Sequence, residues 1–229
     1  MKIIVTNDDG VQAPGLEHLR QIAAAHGTPL IVAPEVAQSG VGHRVTTHRP
    51  IRVARLEPDR YSVGGTPVDC VRIALKALAP DADWLLAGIN PGANLGSDVY
   101  QSGTVAAARE AAIFGVRAMA VSQYIGRDRQ LDWKMTGRNA AVLVALLLQK
   151  KLAAGTYWNV NLPHADASDT DLQYRFCPLD TNPHKYELVQ EGDQFVYRGT
   201  IHERPRTPDH DVAVCFGGEA SITRLAITG

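Results

Sequence analysis

Short runs of β-branched residues alternate with helical hydrophobic patterns through the first two thirds of the chain, and this alternation limits the fold more than any other feature. Apolar runs bounded by turn residues predict strands, and apolar residues spaced three and four apart predict helices. Strands are predicted at 2–6, 30–33, 51–56, 61–63, 84–87, 118–122 and 158–162, and helices at 14–25, 67–78, 105–114 and 132–152. Such a β-α-β-α order predicts an α/β fold, a mostly parallel sheet covered by helices on both faces.

The character of the chain changes near residue 157. Beyond the strand at 158–162 the sequence becomes polar and rich in proline, with short apolar runs at 194–197, 211–215 and 221–226. We interpret these runs as hairpins or a protruding arm rather than another βαβ unit. The predicted organisation is therefore a core of residues 1–156, followed by residues 157–229 with the last core strand and a C-terminal β-hairpin arm.

Charge and composition exclude several classes of protein. The 229 residues carry a formal net charge of −1, which argues against a nucleic-acid polymer as a partner, since phosphate-backbone affinity needs a concentrated basic surface. The three cysteines are far apart and fit neither a disulfide framework nor a metal knuckle. No signal-peptide pattern occurs, and the longest apolar run, 140–148, is too short to span a bilayer. We therefore expect a cytoplasmic protein with no membrane segment.

Two adjacent carboxylates, Asp8 and Asp9, follow the first predicted strand in the segment Asn7-Asp8-Asp9-Gly10. Ligands collect at the carboxyl ends of parallel strands, and two neighbouring carboxylates stay ionised together most easily with a cation beside them. Oxygen ligands favour a hard divalent metal such as Mg²⁺, Mn²⁺ or Ca²⁺. The same four residue types are also typical of a turn that caps the next helix, so this segment alone leaves both interpretations open.

A second polar segment, Ser39-Gly40-Val41-Gly42-His43, follows the strand at 30–33. Its glycines would let the backbone approach an anion, and Ser39 offers a neutral oxygen ligand. Short loops of glycine and serine are common, however, and a lone histidine such as His43 is more often a loop or core residue than a catalyst.

The third polar segment follows the strand at 84–87. Asn90 and Asn94 supply amide oxygens there, and Ser102-Gly103-Thr104 begins the next predicted helix. Free N–H groups and the helix dipole at such an N-terminus favour a phosphate, although ordinary helix capping explains the hydroxyl residues equally well. Three polar segments at one sheet edge, with a helix start suited to phosphate, favour a metal-dependent phosphate-monoester hydrolase.

Several common catalytic motifs are missing from the sequence. The glycines match neither GxGxxG after the first strand nor GxxxxGK[ST], which argues against a dinucleotide cofactor and against an NTP-driven machine. GxSxG and HExxH are also absent, which weakens an α/β-hydrolase or zinc-protease interpretation.

Five segments, taken together and in order, resemble the SurE family of survival-protein nucleotidases. They are NDDG at 7–10, APEVAQSGVGH at 33–43, GTPVDCV at 65–71, GINPGANLGSDV at 88–99 and SGTVAAAREA at 102–111. NVNLP at 159–163 fits as well. The resemblance is dense over residues 1–125, and it implies a Rossmann-like three-layer domain that hydrolyses nucleoside 5′- and 3′-monophosphates.

The resemblance also implies roles for particular residues. It makes Asp8 and Asp9 catalytic residues and ligands of one divalent metal ion per subunit, with Mg²⁺ or Mn²⁺ as the expected ion. Ser39 and Asn90 would complete the protein ligands. The positions that surround the phosphate in the family correspond here to Asn94, Ser102, Gly103 and Thr104.

Family members associate as dimers or tetramers through an extended C-terminal arm, so the resemblance implies a homo-oligomer. The run at 212–225 departs from the family pattern, and the sequence given stops at Gly229 without the usual final helix. This departure leaves the geometry of the oligomer and any substrate contact made by the arm open.

Three functions remain to be compared. In the first, a divalent metal and Asp8 act on the water that attacks a nucleoside monophosphate, and a nucleophilic role for Asp8 stays open. The second is a polyphosphatase or a broad phosphatase of small phosphoesters that uses the same metal site. The third is a non-enzymatic, metal-stabilised binding module that engages partners through the C-terminal arm.

Overall fold

A nine-stranded mixed sheet is the centre of the computed structural model, which describes residues 1–164, 171–199 and 201–227. The strands of this sheet are β1 (Lys2–Thr6), β2 (Thr28–Pro34), β3 (Val53–Glu57), β4 (Arg60–Val63), β5 (Trp84–Pro91), β6 (Arg117–Gln123), β7 (Thr156–Leu162), β8 (Tyr174–Phe176) and β11 (Ala220–Ala226). Strands β9 (Tyr186–Glu191) and β10 (Gln194–Gly199) form a separate antiparallel hairpin. The helices are α1 (Pro14–Ala24), α2 (Pro67–Ile73), α3 (Gly103–Ile113), α4 (Trp133–Leu148) and α5 (Asp211–Phe216).

The strand order is β3-β4-β2-β1-β5-β6-β7-β11-β8. Neighbouring strands are parallel except in the pairs β3–β4 and β7–β11. The α/β fold with a mostly parallel sheet, predicted from the alternation of elements, is therefore confirmed, and so is a hairpin in the C-terminal part.

Helices cover both faces of the sheet because successive side chains of a strand point to opposite faces. In β1, Ile3 and Val5 belong to one apolar cluster, with residues of α1 and α4 such as Leu16 and Leu143. Ile4 belongs to a second cluster, which includes residues of α2 and α3. The three-layer arrangement thus follows from strands that are apolar on both sides.

The element boundaries differ from the prediction in places that matter for function. Strand β5 continues to Pro91, so Asn90 lies at the end of a strand rather than in a loop. Helix α3 begins at Gly103 with Ser102 as its N-cap, two residues earlier than predicted. Helix α4 is shorter than the predicted 132–152, because Asp132 is its N-cap and it ends at Leu148.

The C-terminal part contradicts the sequence interpretation at two points. The run 211–215 forms helix α5 rather than part of a hairpin, and the Asp211 carboxylate accepts N–H groups from Gly96, Asp180 and Val212 at 2.7–2.9 Å. The run 221–226 belongs to β11, which enters the main sheet between β7 and β8. Within the described residues, no helix has the length and apolar character needed to cross a membrane.

The topology creates a cleft at the carboxyl ends of the central strands. From β1 the chain passes through α1 to β2 on one side, whereas β5 pairs with the other side of β1. In open α/β sheets this reversal of direction is where ligands bind. Asp8 and Asp9 follow β1 and Asn90 is the residue before the last of β5, so these side chains flank the point of reversal.

Candidate active site

A cavity of about 340 Å³ opens at the carboxyl ends of β1 and β5. The three polar segments singled out in the sequence meet there. The lining consists of Asp8, Asp9, Ser39, Gly40, Asn90, Pro91, Ala93, Asn94, Asp98, Gln101, Ser102 and Ile201. The two remaining predicted residues, Gly103 and Thr104, contact Asp8 from behind it. All eight predicted site residues are therefore brought together.

Residues 7–10, which follow β1, form a turn, and two of them line the cavity. Asn7 closes the turn by donating its Nδ2 to Gly10 O at 3.0 Å and accepting Gly10 N on its Oδ1 at 3.2 Å. Gly10 has a φ of +106°, which glycine adopts without strain. The segment is therefore a turn in which Asn7 and Gly10 direct the two carboxylates, but it does not cap α1, whose N-cap is Ala13 and has no side-chain cap.

Asp8 is held by the N-terminus of α3. The Thr104 hydroxyl donates to Asp8 Oδ1, and the backbone N–H groups of Gly103 and Thr104 also point to this carboxylate. Asp8 is only 5% exposed, and burial raises the pKa of its carboxyl although these hydrogen bonds act to lower it. The close approach requires glycine at 103, because a Cβ there would lie 2.8 Å from Asp8 Cβ.

Asp9 has an unsatisfied oxygen beside Asp8. Its Oδ2 is buried and has no hydrogen-bond partner among the described residues. Burial and the neighbouring charge of Asp8 raise the pKa of Asp9 to about 7. A cation next to the pair would stabilise both carboxylates in the ionised form and satisfy the orphaned oxygen, so the two aspartates fit a metal.

Ser39 reaches the cavity on a loop that is attached at both ends. Gln38 N donates to Asp8 O at 2.7 Å, and Gly42 N donates to Gln101 O at 2.9 Å. Ser39 is exposed and lines the mouth of the cavity. Its hydroxyl is thus available as a neutral ligand in the cavity that Asp8 and Asp9 also line.

Asn90 offers its amide oxygen. Its Nδ2 donates to Gly92 O at 2.6 Å, which leaves the carbonyl oxygen as the side-chain atom free to act as a ligand. Within the described ranges there is no group of three or more His, Cys, Asp or Glu residues that could hold a metal. A metal at this cavity would therefore depend on two carboxylates, a hydroxyl and an amide oxygen, which is the donor set of a hard divalent ion.

Sequence reasoning missed the residues that fix Asn94. Asn94 Nδ2 donates to Ser122 Oγ at 2.8 Å, its backbone N donates to Asn161 Oδ1 at 2.7 Å, and its backbone O accepts from Asn159 and Asn161. Asn159 and Asn161 are fully buried on β7. The segment NVNLP has two asparagines separated by one residue in a predicted strand. Because buried amides need hydrogen-bond partners, this pair could have indicated a polar contact with a neighbouring loop.

An ion cluster at the far wall of the cavity was also missed. Asp98 accepts from Arg204 Nη1 at 2.7 Å and contacts His184 Nε2, while Ile201 lines the cavity beside it. The Arg204 side chain is 1% exposed. Arg204 neutralises the Asp98 carboxylate in a cavity that would receive an anion. No local sequence pattern could reveal contacts between residues so far apart in the chain.

The same sequence features recur in known proteins. The family model described as Survival protein SurE matches residues 3–185. The chain belongs to the SurE family. A relative from Nostoc sp. (strain PCC 7120 / SAG 25.82 / UTEX 2576) is 43% identical over 227 residues, covering 99% of this chain and all of the relative.

Other SurE proteins agree in sequence and in structure. The 5′-nucleotidase SurE of Paramagnetospirillum magneticum is 36% identical over 240 residues, covering 98% of this chain and 89% of the relative. The crystal structure of the SurE protein from Aquifex aeolicus superposes with a TM-score of 0.88 at 28% identity, covering 99% of this chain and 93% of that one. The family resemblance read from five motifs is thus confirmed.

Proposed function

We propose that this protein is a metal-dependent phosphate-monoester hydrolase that releases phosphate from nucleoside 5′-monophosphates and, on the same site, 3′-monophosphates. The observation that carries the proposal is the Asp8–Asp9 pair, with the buried and unsatisfied Oδ2 of Asp9, in a cavity at the topological reversal of a SurE-family sheet. The name of the Paramagnetospirillum relative, 5′-nucleotidase SurE, supports the substrate class.

Asp8, Asp9, Ser39 and Asn90 would hold one divalent ion, Mg²⁺ or Mn²⁺. When bound, such an ion screens the charge of the phosphate dianion and polarises a water molecule. Four protein oxygens leave positions for water and for a phosphate oxygen on an ion that prefers six ligands.

The protein side chains orient the reactants around that ion. The buried Asp8 carboxylate, fixed by Thr104, is placed to orient the attacking water and accept its proton. Ser102 Oγ accepts Val105 N–H at 3.1 Å and keeps its own hydrogen for a phosphate oxygen. Gly103 and Thr104 supply the positive end of the α3 dipole, and Asn94 forms the adjoining wall.

The proposal is tested first by Asp8→Asn, which preserves shape and removes the charge. We expect phosphate release from nucleoside monophosphates to fall about a hundredfold or more, because the variant loses a metal ligand and the proton acceptor. Initial rates with Mg²⁺ and with Mn²⁺ on a panel of 5′- and 3′-nucleotides, polyphosphate and simple phosphoesters measure this.

Asp193→Asn, in the exposed turn between β9 and β10, is the matched control and should retain the wild-type rate. Wild-type activity in Asp8→Asn would contradict the assignment. A panel in which polyphosphate or simple esters are hydrolysed faster than nucleotides would favour the alternative substrate classes on the same metal site.

Metal removal is the second test. Treatment with a chelator should abolish phosphate release, and added Mn²⁺ or Mg²⁺ should restore it, because the described residues that line the cavity include no lysine, arginine or histidine that could screen the charge of the phosphate dianion in place of the metal. Full activity after chelation and dialysis would contradict metal dependence while leaving the family assignment intact.

A further inference from the structure

His43 closes the loop that carries Ser39, and it is bonded to a buried carboxylate. Its Nε2 lies 2.8 Å from Glu110 Oε2, and the Glu110 side chain is 1% exposed. The other oxygen of Glu110 accepts from Arg72 Nε on α2. Glu110 therefore stays in place on α3 whether or not the loop is attached to it.

The hydrogen on the His43 ring can be assigned from its second neighbour. Arg109 Nη1 lies 3.4 Å from His43 Nδ1, and a guanidinium group only donates. Nδ1 is thus the acceptor, and the Nε2–H group donates to Glu110. Arg109 is itself fixed, since it donates to Tyr157 Oη at 3.0 Å and to Val99 O at 2.8 Å.

The part of the loop that enters the cavity has few contacts of its own. Ser39 is exposed, and a Cβ at Gly40 would lie in open space. The loop is attached before Ser39 by Gln38 N to Asp8 O, and after it by Gly42 N to Gln101 O. These two backbone hydrogen bonds consequently set the location of Ser39. The side-chain bond of His43 to Glu110 adds a third attachment, one residue after Gly42.

Helix α3 contacts both Asp8 and the loop that carries Ser39. The N-terminus of α3 contacts Asp8 through Gly103 and Thr104, and Glu110 lies seven residues after Gly103, about 10 Å farther along the helix. Asp8 and the Ser39 loop are therefore attached to the same helix.

We propose that His43 is a positioning residue of the metal site, which ties the Ser39 loop to Glu110 on α3 and so holds the Ser39 hydroxyl within reach of the ion that Asp8 and Asp9 bind. The inference rests on the proposed function, because it requires a metal at these aspartates. It gives His43 a role through Ser39 and no contact with substrate.

Binding of Mn²⁺ to metal-free protein, measured by isothermal titration calorimetry without substrate, tests this role. His43→Ala should weaken Mn²⁺ binding about tenfold, the usual cost of removing a residue that orients a metal ligand. His43→Gln, whose amide N–H can still donate to Glu110, should recover most of the affinity. His48→Ala, at an exposed histidine of the same segment, is the matched control and should bind as the wild type does.

A double-mutant cycle separates positioning from general destabilisation. If His43 acts through Ser39, His43→Ala should add little to the loss already caused by Ser39→Ala, since the loop no longer offers a ligand. Losses that add fully, an unchanged affinity in His43→Ala, or an equal loss in His48→Ala would each overturn the proposal. A wild-type protein that binds no Mn²⁺ would instead overturn the proposed function.

Discussion

At the scale of single residues, the site depends on how closely two backbones approach. A Cβ at Gly103 would lie 2.8 Å from Asp8 Cβ and 3.0 Å from Asp8 Oδ2, so the first residue of α3 must be glycine for the helix N-terminus to reach the carboxylate. The approach turns the dipole and the first N–H groups of α3 toward Asp8. Glycine is needed at position 103 because α3 lies so close to Asp8, and not because the backbone there is left-handed.

Gly103→Ala should therefore reduce activity although alanine favours helices. We expect the added methyl group to push Asp8 away from α3 and to lower phosphate release at least tenfold, because the ligand and its hydrogen bonds no longer align. Assays at saturating Mn²⁺, together with thermal melts to confirm a folded protein, measure this. A variant with wild-type activity would show that the approach is not needed for function.

At the scale of elements, helix α1 is attached to strand β4 by an ion pair, in addition to packing its apolar face on the sheet. Glu17 on α1 accepts from Arg60 Nη2 on β4 and from Arg20 Nη2, both at 2.7 Å, and Arg60 also donates to Val11 O. The hydrogen bond from Arg20, and then that from Arg60, lower the pKa of Glu17 to about 2 against the cost of burial.

The Glu17–Arg60 ion pair predicts that the stability lost on replacing Glu17 depends on pH. Because the pKa of Glu17 is lower in the folded state, the carboxylate stabilises the fold above its ordinary pKa of 4.5, and the stabilisation is lost as pH falls toward 2. Glu17→Gln should lower the free energy of unfolding by up to about 1 kcal/mol at pH 7, since the side chain is 37% exposed and screened by solvent.

Urea denaturation at pH 7, 4 and 3 measures the effect, and the difference between variant and wild type should shrink steadily over that range. A difference that is constant with pH would show that the charge is not its cause.

Elements whose residues follow a regular apolar pattern could be predicted from the sequence, even the four-residue strand β4, whereas the run 211–215 could not. The strands at 2–6 and 118–122 and the helix at 14–25 agree closely with β1, β6 and α1, because each carries a full apolar face. In the run 211–215, Val212 and Val214 alternate as in a strand, yet the segment is helical. Its conformation depends on non-local contacts, namely Val212 and Cys215 packing on Leu95.

At the scale of the whole molecule, the C-terminal part is attached to the cavity wall. Arg204 and His184, on either side of the β9–β10 hairpin, both contact Asp98. Arg204 lies 106 residues from Asp98 in sequence. That Asp8, Asp9 and Asn90 meet at one sheet edge was predictable, because the two aspartates follow β1 and Asn90 lies at the end of β5, whereas the Asp98 cluster is formed only by tertiary folding.

Arg204→Met tests how much this attachment stabilises the fold. The variant keeps most of the side-chain volume and leaves the Asp98 carboxylate, which is 18% exposed, with a weaker set of partners. We expect a loss of about 3 kcal/mol in the free energy of unfolding, the lower end of the cost of breaking a buried ion pair. Arg198→Met, at an exposed arginine of β10, is the control and should change stability by less than about 0.5 kcal/mol.

Because β11 lies between β7 and β8, the sheet cannot be completed in chain order during synthesis on the ribosome. Strand β8, Tyr174–Phe176, pairs with β11, Ala220–Ala226, which is synthesised more than forty residues later. The parallel strands from β2 to β7 can pair as they emerge, but β8 must wait for a strand that has not yet been made. Until then the edge of β7 stays open, and the nascent chain exposes a site for chaperones or for unwanted strand pairing during that interval.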